Sequence, residues 1–389
     1  MTDSAAKKVL LLVDDDPANI HVVHSILKED YDVRVATNGV KALQLAKGKT
    51  PPDLVLLDVS MPNMDGYEVC AHLKADEIAR EIPVIFLTGK TEVVDETRGF
   101  EVGAVDYIHK PFSPPIVSAR VKTHLLLRAA KEQLARQLRE INSELELARE
   151  IQMSILPSEV PHIEGLQIAT RFLPASSVAG DFYDFLVAGQ KGVGILIADV
   201  TGHGLSAALI ASMLKVALAA QTPHISEPAR VLSGLNQALC GMFQKYFVTA
   251  ACIYIDMEKN ALIYSGAAHS PLLLWDKSAG TVVELMHNGL MLGLFPQETY
   301  SSIQVPIETG DRIVLYTDGI VEAVDASEEE YGMDRLKQFL DCRRSLEGDQ
   351  FADALLVELS EWSTGPAGRL QKDDITLLTI DFKGRIEWH

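Results

Sequence analysis

The chain of 389 residues has four cysteines, Cys70, Cys240, Cys252 and Cys342, and no two of them form a C-x-x-C pair. That scatter excludes a disulfide framework and reads as buried thiols in a reducing compartment. Long apolar runs are also missing. The longest, Leu209–Ala220, is interrupted by Lys215 and falls short of the ~20 residues that span a bilayer. No charged-then-apolar leader precedes the first apolar run, so a cytoplasmic protein without a membrane partner is expected. Basic clusters are scarce: 35 Lys+Arg stand against 54 Asp+Glu, a net charge of -19. A DNA-binding output needs a basic face for phosphates, and no helix-turn-helix pattern appears, so no nucleic-acid partner is expected. There is no H-E-x-x-H, no paired Cys/His spacing and no G-x-S-x-G elbow, which disfavours zinc and serine-nucleophile chemistry.

What is present starts with polar residues at the ends of apolar runs. Asp14-Asp15 follow Val9–Val13, Asp58 follows Leu54–Leu57, Thr88 follows Val84–Leu87, and Lys110 follows Tyr107-Ile108-His109. In an open parallel α/β sheet the carboxyl ends of the strands face one crevice, so these positions converge. Three carboxylates together repel unless a hard divalent cation sits among them. A lysine and a threonine hydroxyl beside that cation make a place for a phosphoryl group.

The stretches LLVDDDP, LVLLDVSMPNMDG, VIFLTG and DYIHKPF closely resemble the receiver domain of two-component response regulators, over roughly residues 5–125. The resemblance implies a doubly wound, flavodoxin-like parallel sheet fed by a sensor histidine kinase. It implies Asp58 as phosphoryl acceptor, and Asp14, Asp15, Asp58 and the Ser60 carbonyl around Mg²⁺, with Asp15 the more direct ligand of the acidic pair. Thr88 and Lys110 map to groups that contact the phosphoryl oxygens, Tyr107 to an aromatic switch, and Pro111 to a cis bond.

From Ile116 to Leu156 there is neither Gly nor Pro, and Ala, Leu, Glu, Gln, Arg and Lys dominate. These are good helix formers. Leu127, Leu134, Leu138, Ile141, Leu145, Ala148 and Ile155 recur at heptad steps, with Lys131 and Gln152 in two core slots. The pattern predicts a helix of about 40 residues forming a two-stranded parallel coiled coil, hence a homodimer. A single helix packed along its own domains is the alternative.

Beyond Pro157 the apolar runs are short and glycine-punctuated: Leu166–Leu173, Val193–Ala198, Val248–Ile255, Ala261–Tyr264, Arg312–Tyr316 and Ile375–Phe382. Helix-like stretches lie at about 204–220, 227–243 and 350–362. Strands outnumber helices, which predicts an antiparallel α+β domain. The expected organisation is thus a receiver at 1–125, a coiled-coil linker and switch helix at 116–156, and an output domain at 157–389.

Four more aspartates stand at strand ends or turns: Asp181 in AGDFYD, Asp199 in LIADVTGHG, Asp318 in YTDGI and Asp373 in KDDIT. A carboxylate-only set suits Mn²⁺ or Mg²⁺, and two such ions can activate water toward phosphorus. From about Glu144 to Asp381 the wording resembles the metal-dependent protein phosphatase (PPM) family, in the bacterial branch of sporulation and general-stress phosphatases. The resemblance implies a β-sandwich flanked by helices. It implies Asp199 bridging two Mn²⁺ or Mg²⁺ ions with the Val200 carbonyl as a further ligand, Asp181 on one ion, and Asp318 and Asp373 on the other. Asp374 is the neighbouring candidate. AREIQMSILP resembles the family's regulatory switch element; GAAHSP and NGLMLGLFP match further signatures.

Two departures stand out: Ala179 replaces a glycine before Gly180, and the usual Asn-Ala-Gly-His reads Gly266-Ala267-Ala268-His269. His203 and His269 are candidate proton donors, with hydrogen-bonded structural histidines as the plainer reading. The expected function is a serine/threonine phosphoprotein phosphatase in signal transduction, controlled by phosphorylation of Asp58. The resemblance implies a phosphorylated anti-sigma-factor antagonist of the STAS type as substrate, in a stress response. The alternative is a catalytically inactive receiver-phosphatase adaptor that binds a sigma factor or anti-sigma partner.

Overall fold

The computed structural model describes residues 7–89, 98–202, 204–243, 245–363 and 373–384. The chain forms two compact units, Met1–Glu140 and Ile141–His389.

The first unit is built on a five-stranded parallel sheet. Its strands are β1 (Val9–Val13), β2 (Asp32–Ala36), β3 (Leu54–Asp58), β4 (Val84–Thr88) and β5 (Asp106–His109), in the order β2-β1-β3-β4-β5. The winding reverses between β1 and β3, and a ligand crevice opens at that point in doubly wound sheets. The central strands are covered on both faces, so their alternation is apolar with apolar. Leu11, Val13, Val55 and Leu57 pack under the helices Gly39–Ala46 and Gly66–Lys74. Leu10, Leu12, Leu54 and Leu56 pack on the opposite face with Val23, Leu27, Val117 and Val121.

Local chemistry sets the helix starts. Asp16 caps the helix Pro17–Leu27 by accepting from Ala18 N, with Pro17 in the first turn. Asp65 and Glu68 form a reciprocal capping box for Gly66–Lys74.

The helix Pro114–Ile155 runs for 42 residues, about 63 Å at 1.5 Å per residue. Its expected heptad seam divides in two. Leu127, Leu134, Leu138 and Ile141 are exposed, whereas Leu145 and Ala148 are half-buried and Gln152 is only 4% exposed. Lys131, expected in a core slot, instead pairs with Glu81 at 2.7 Å across open surface. Gln152, expected in another, is used inside the second unit. A long polar side chain leaves a seam wherever a better partner lies to one side, and heptad spacing does not register such a partner.

The second unit is a sandwich of two sheets. One has the order β13-β10-β9-β8-β7, with β14 also pairing β10; the other has β12-β11-β15-β16-β6. The first sheet comprises β7 (Phe182–Val187), β8 (Gly192–Val200), β9 (Val248–Asp256), β10 (Ala261–Ala267), β13 (Asn288–Gly289) and β14 (Ile303–Pro306). The second comprises β6 (Leu166–Leu173), β11 (Leu272–Asp276), β12 (Thr281–Leu285), β15 (Arg312–Tyr316) and β16 (Ile375–Phe382). Period-two alternation places successive residues in different layers. Ile313 and Leu315 of β15 join the inter-sheet core, while Val314 and Tyr316 pack with the helices Gly332–Cys342 and Gly348–Ser363. The helices Leu205–Ala219 and Pro228–Leu239 complete the core of the first sheet.

One buried ion pair locks the second sheet. Arg312 donates to Asp381 at 2.5 and 2.9 Å and to the Leu346 carbonyl, and both side chains are nearly inaccessible. Removing one partner strands the other charge, which typically costs about 3–5 kcal/mol. Arg312→Met is expected near the low end, about 3 kcal/mol by urea unfolding, because Lys383 remains 3.4 Å from Asp381.

The cysteine expectation holds in part. Cys70 and Cys252 are buried, but Cys240 is half-buried and Cys342 exposed. Burial pushes the Cys70 thiol up to about 11 and the Cys252 thiol to about 12.

Candidate functional site

Two carboxylate sites emerge, one in each unit. In the first, Asp14, Asp15 and Asp58 each offer an oxygen within 4.8 Å of the others, and among the described residues they form the one such trio. Asp14 is fully buried. Its Oδ1 accepts from Asp16 N at 2.9 Å and Asn19 Nδ2 at 3.2 Å, and its Oδ2 accepts from Lys110 at 3.0 Å. Asp58 accepts from Lys110 at 2.7 Å. Asp15 faces the exposed side of the trio.

Burial holds the Asp58 carboxyl above its ordinary range; the Lys110 bond works against this, and Asp14 and Asp15 add to it. Burial lowers the Lys110 ammonium, but its bonds to Asp58 and Asp14 outweigh that and leave it raised. Thr88 is buried at the end of β4, and its carbonyl accepts from Lys110 N at 2.8 Å. The Lys110–Pro111 peptide is cis. Tyr107 stacks edge-on with Phe100 and His109, under the Arg120 guanidinium. Ser60 lies on the exposed turn two residues beyond Asp58.

The second site lies where strand ends of both sheets meet. Asp199 is the penultimate residue of β8, Asp181 immediately precedes β7, Asp318 follows β15, and Asp373 precedes β16. Burial, then Asp318, Asp373, Asp374 and Glu322, push the Asp199 carboxyl up to about 7. Asp318 is raised by burial and by Asp373. Asp181, 2% exposed, is raised well above the carboxylate range by burial, with Asp199 and Asp374 adding to it. Like charges are therefore gathered here, although among the described residues no trio of them closes to the separation seen in the first unit.

The two adjacent aspartates of KDDIT separate by role. The oxygens of Asp374 accept from Ala175 N at 2.7 Å and Gly180 N at 2.6 Å, so this carboxylate holds the turn before Asp181. Asp373 is exposed and electrostatically joined to Asp199 and Asp318. Asp181 Oδ2 accepts from Thr317 at 2.7 Å and Thr376 at 2.6 Å. Two glycines are sterically required. A Cβ on Gly319 would lie 2.0 Å from the Asp374 carbonyl oxygen, and one on Gly180 would lie 2.9 Å from the Val200 carbonyl oxygen.

His269 is buried, with Nδ1 2.9 Å from Thr249 Oγ1, and burial lowers its pKa to about 4. It is neutral at pH 7, which suits a structural histidine better than a proton donor. His203 lies outside the described residues.

A family model for stage II sporulation protein E matches residues 189–383, and one for the response regulator receiver domain matches residues 10–122. The chain belongs to the stage II sporulation protein E family. It is similar to the phosphoserine phosphatase RsbU of Bacillus subtilis, 34% identical over 184 residues, which is 47% of this chain and 55% of that protein. It is also similar to a probable cyclic di-GMP phosphodiesterase of Vibrio cholerae, 46% identical over 128 residues, 33% of this chain and 29% of that protein. The chain thus spans about half the length of the first relative and less of the second. The SiaA-PP2C domain of Pseudomonas aeruginosa shares the fold, with TM-score 0.56 and 25% identity, over 64% of this chain and 99% of that one.

This SpoIIE-family chain therefore couples a receiver to a PP2C-type phosphatase domain through one helix. Among its described residues no helix is long and apolar enough to cross a membrane. Sequence reading missed Glu322, which adds a carboxylate beside Asp199 and Asp318; its place four residues after Asp318 was the available signal. It also missed Thr317 and Thr376, each adjacent to or near an aspartate of its motif, as the hydroxyls that fix Asp181. Both carboxylate sets fit divalent ions on chemistry: hard oxygen donors gathered at strand ends, with burial and neighbouring carboxylates raising Asp58 in the first and Asp181, Asp199 and Asp318 in the second.

Proposed function

We propose that the chain is a response regulator whose output is a metal-dependent phosphoserine/phosphothreonine phosphoprotein phosphatase, switched by phosphorylation of Asp58. The observation that carries this reading is the gathering of Asp181, Asp199, Asp318 and Asp373 from separate strands, with Asp199 pushed up to about 7 by burial and by its neighbours. Asp199, Asp318, Asp373 and the Val200 carbonyl would hold Mn²⁺ or Mg²⁺, with Asp181 contributing to one of the ions. Bound there, such ions lower the pKa of water and neutralise phosphoryl oxygens. The protein's own part is positional. Thr317 and Thr376 fix Asp181, Asp374 ties down the turn before it, and the sheets hold the strand ends together.

In the receiver, Asp14, Asp15 and Asp58, with the Ser60 carbonyl, would hold Mg²⁺. Asp58 would take the phosphoryl group from a sensor histidine kinase, and Lys110 and Thr88 would meet its oxygens. Tyr107 would report the change. The receiver would end near residue 125, the linker would occupy 116–156, and the phosphatase domain would fill 157–389. The exposed seam Leu127–Ile141 would pair with that of a second copy in a homodimer. The similarity to RsbU supports a phosphorylated STAS-type anti-sigma-factor antagonist as substrate.

Purified chain with Mn²⁺ is expected to release phosphate from such an antagonist. Chelation and Asp199→Ala should each abolish the release. A beryllofluoride adduct on Asp58 is expected to change the rate roughly 5- to 150-fold, the range of 1–3 kcal/mol of coupling. Activity surviving Asp199→Ala would remove the assigned site. No hydrolysis of any antagonist would favour the inactive adaptor.

A further inference from the structure

Gln152 sits in the last turn of the helix Pro114–Ile155, and it is 4% exposed. Its Nε2 donates to the Ala179 carbonyl at 2.7 Å, and its Oε1 accepts from the Ala179 N–H at 3.0 Å. One side chain thus takes up both backbone groups of a fully buried residue, 27 positions further along the chain. Ala179 is two residues before Asp181. The next peptide, Gly180, donates to Asp374 at 2.6 Å, and its carbonyl accepts from Val200 N at 3.3 Å. The Gln152 amide therefore braces a short turn that touches the carboxylate side through Asp181 and Asp374, and the carbonyl side through Val200.

Generic burial does not account for this arrangement. An apolar residue would fill the space, while a glutamine there must have both amide atoms satisfied or cost stability. Here it reads the backbone in both directions, which fixes the orientation of the peptide as well as its position. Its neighbours on the helix, Ile151 and Met153, are exposed and take no part in the brace. The substitution of alanine for the family's usual glycine at 179 narrows the backbone freedom of the same turn.

We propose that Gln152 is a positioning residue for the phosphatase metal site, with its two bonds to Ala179 setting the Gly180–Asp181 turn against Val200. The inference rests on the reading of the second unit as a metal-dependent phosphatase. It makes the docked end of the linker helix part of the site's framework.

The test is Mn²⁺ binding by titration calorimetry on the full chain, with the heat that persists in Asp199→Asn taken as the receiver's and subtracted. Gln152→Met keeps length and loses both bonds. It is expected to bind Mn²⁺ 10- to 100-fold more weakly, the usual effect of removing a group that orients ligands. Its kcat at saturating Mn²⁺ should stay within a few-fold of wild type. Hydrogen exchange should show the Ala179 and Gly180 amides losing protection, while the exposed neighbour variant Glu150→Gln changes neither measurement. Wild-type Mn²⁺ affinity in a folded Gln152→Met would overturn the proposal.

Should that variant fail to fold, Gln152→Glu decides by the same titration, since it keeps the acceptor for Ala179 N–H and loses the donor. Weakened binding supports the role, and unchanged binding refutes it. Wild-type chain that binds Mn²⁺ but leaves phosphoserine intact would sink the phosphatase reading and leave this comparison standing. Hydrolysis with an unaltered Gln152→Met affinity would sink only the role of Gln152.

Discussion

Asp199→Asn is expected to abolish phosphoserine hydrolysis, and at the same time to raise the melting temperature of the chelated chain at pH 7.5. Loss of activity with gain of stability is the signature of a carboxylate kept for chemistry at the expense of the fold. Burial and the charges of Asp318, Asp373, Asp374 and Glu322 push Asp199 up to about 7. Between its ordinary value near 3.8 and about 7, the folded state holds a proton that the unfolded state has released. The unfolded state thus binds fewer protons, and stability falls as pH rises through that window. Above it the full penalty is present, with a ceiling of about 4 kcal/mol for roughly three units at 1.36 kcal/mol each.

Asparagine removes the charge and keeps the shape, so its advantage in EDTA should be largest at pH 7.5 and small at pH 4. Excess Mn²⁺ should reverse the order, because the receiver's cation is common to both proteins while one bound at the second site stabilises the wild type alone. Equal melting temperatures for both proteins in EDTA across this range would contradict the electrostatic account.

Asp58→Asn is expected to eliminate phosphoryl uptake entirely. Incubated with acetyl phosphate and Mg²⁺, the wild type should gain one phosphoryl group by intact mass, and the variant none. The neighbours explain why no other carboxylate would substitute. Asp14 is fully buried, with oxygens engaged by Asp16 N, Asn19 and Lys110. Asp15 stands on the exposed side, at the end of a different strand from the one that places Asp58 beside Lys110. Without the Asp58 charge, Lys110 keeps Asp14 as its one ionic partner among the described residues, and Mg²⁺ affinity should fall as well. An adduct of undiminished yield in Asp58→Asn would refute the assignment of the acceptor.

How far the sequence carries depends on the kind of information each element encodes. The receiver strands are legible because their polar residues fall at the ends of short apolar runs, and a parallel sheet brings strand ends together by topology. In the second unit the apolar runs Leu166–Leu173, Arg312–Tyr316 and Ile375–Phe382 have the same bounds as the strands they form. Phe182–Val187 is hidden as a strand because Asp181, Asp184 and Gly180 mask its alternation. Two glycines, Gly192 and Gly194, obscure the start of β8, which begins at Gly192 just after the turn at Gly189–Lys191. A Cβ on Gly192 would lie 2.3 Å from the Ile255 carbonyl oxygen, so this glycine serves strand packing.

The helix Gly332–Cys342 escapes a sequence reading, since its charged residues dilute the apolar spacing. The four metal-candidate aspartates are legible through motif wording. Their supports, Thr317, Thr376, Asp374 and Gln152, are not, because such roles are set by tertiary approach across up to 195 positions.

The end of the linker helix bears on how the chain can be dissected. A fragment begun at Pro157, where the sequence first changes character, would leave the Ala179 N–H and C=O buried without company, each at a cost of about 1–3 kcal/mol. One begun at Ile141, where the compact unit starts, would keep them satisfied. The second unit thus inherits its foundation from residues that by composition belong to the connector, and any recombination of this output with a foreign sensor would have to carry that last helical stretch along.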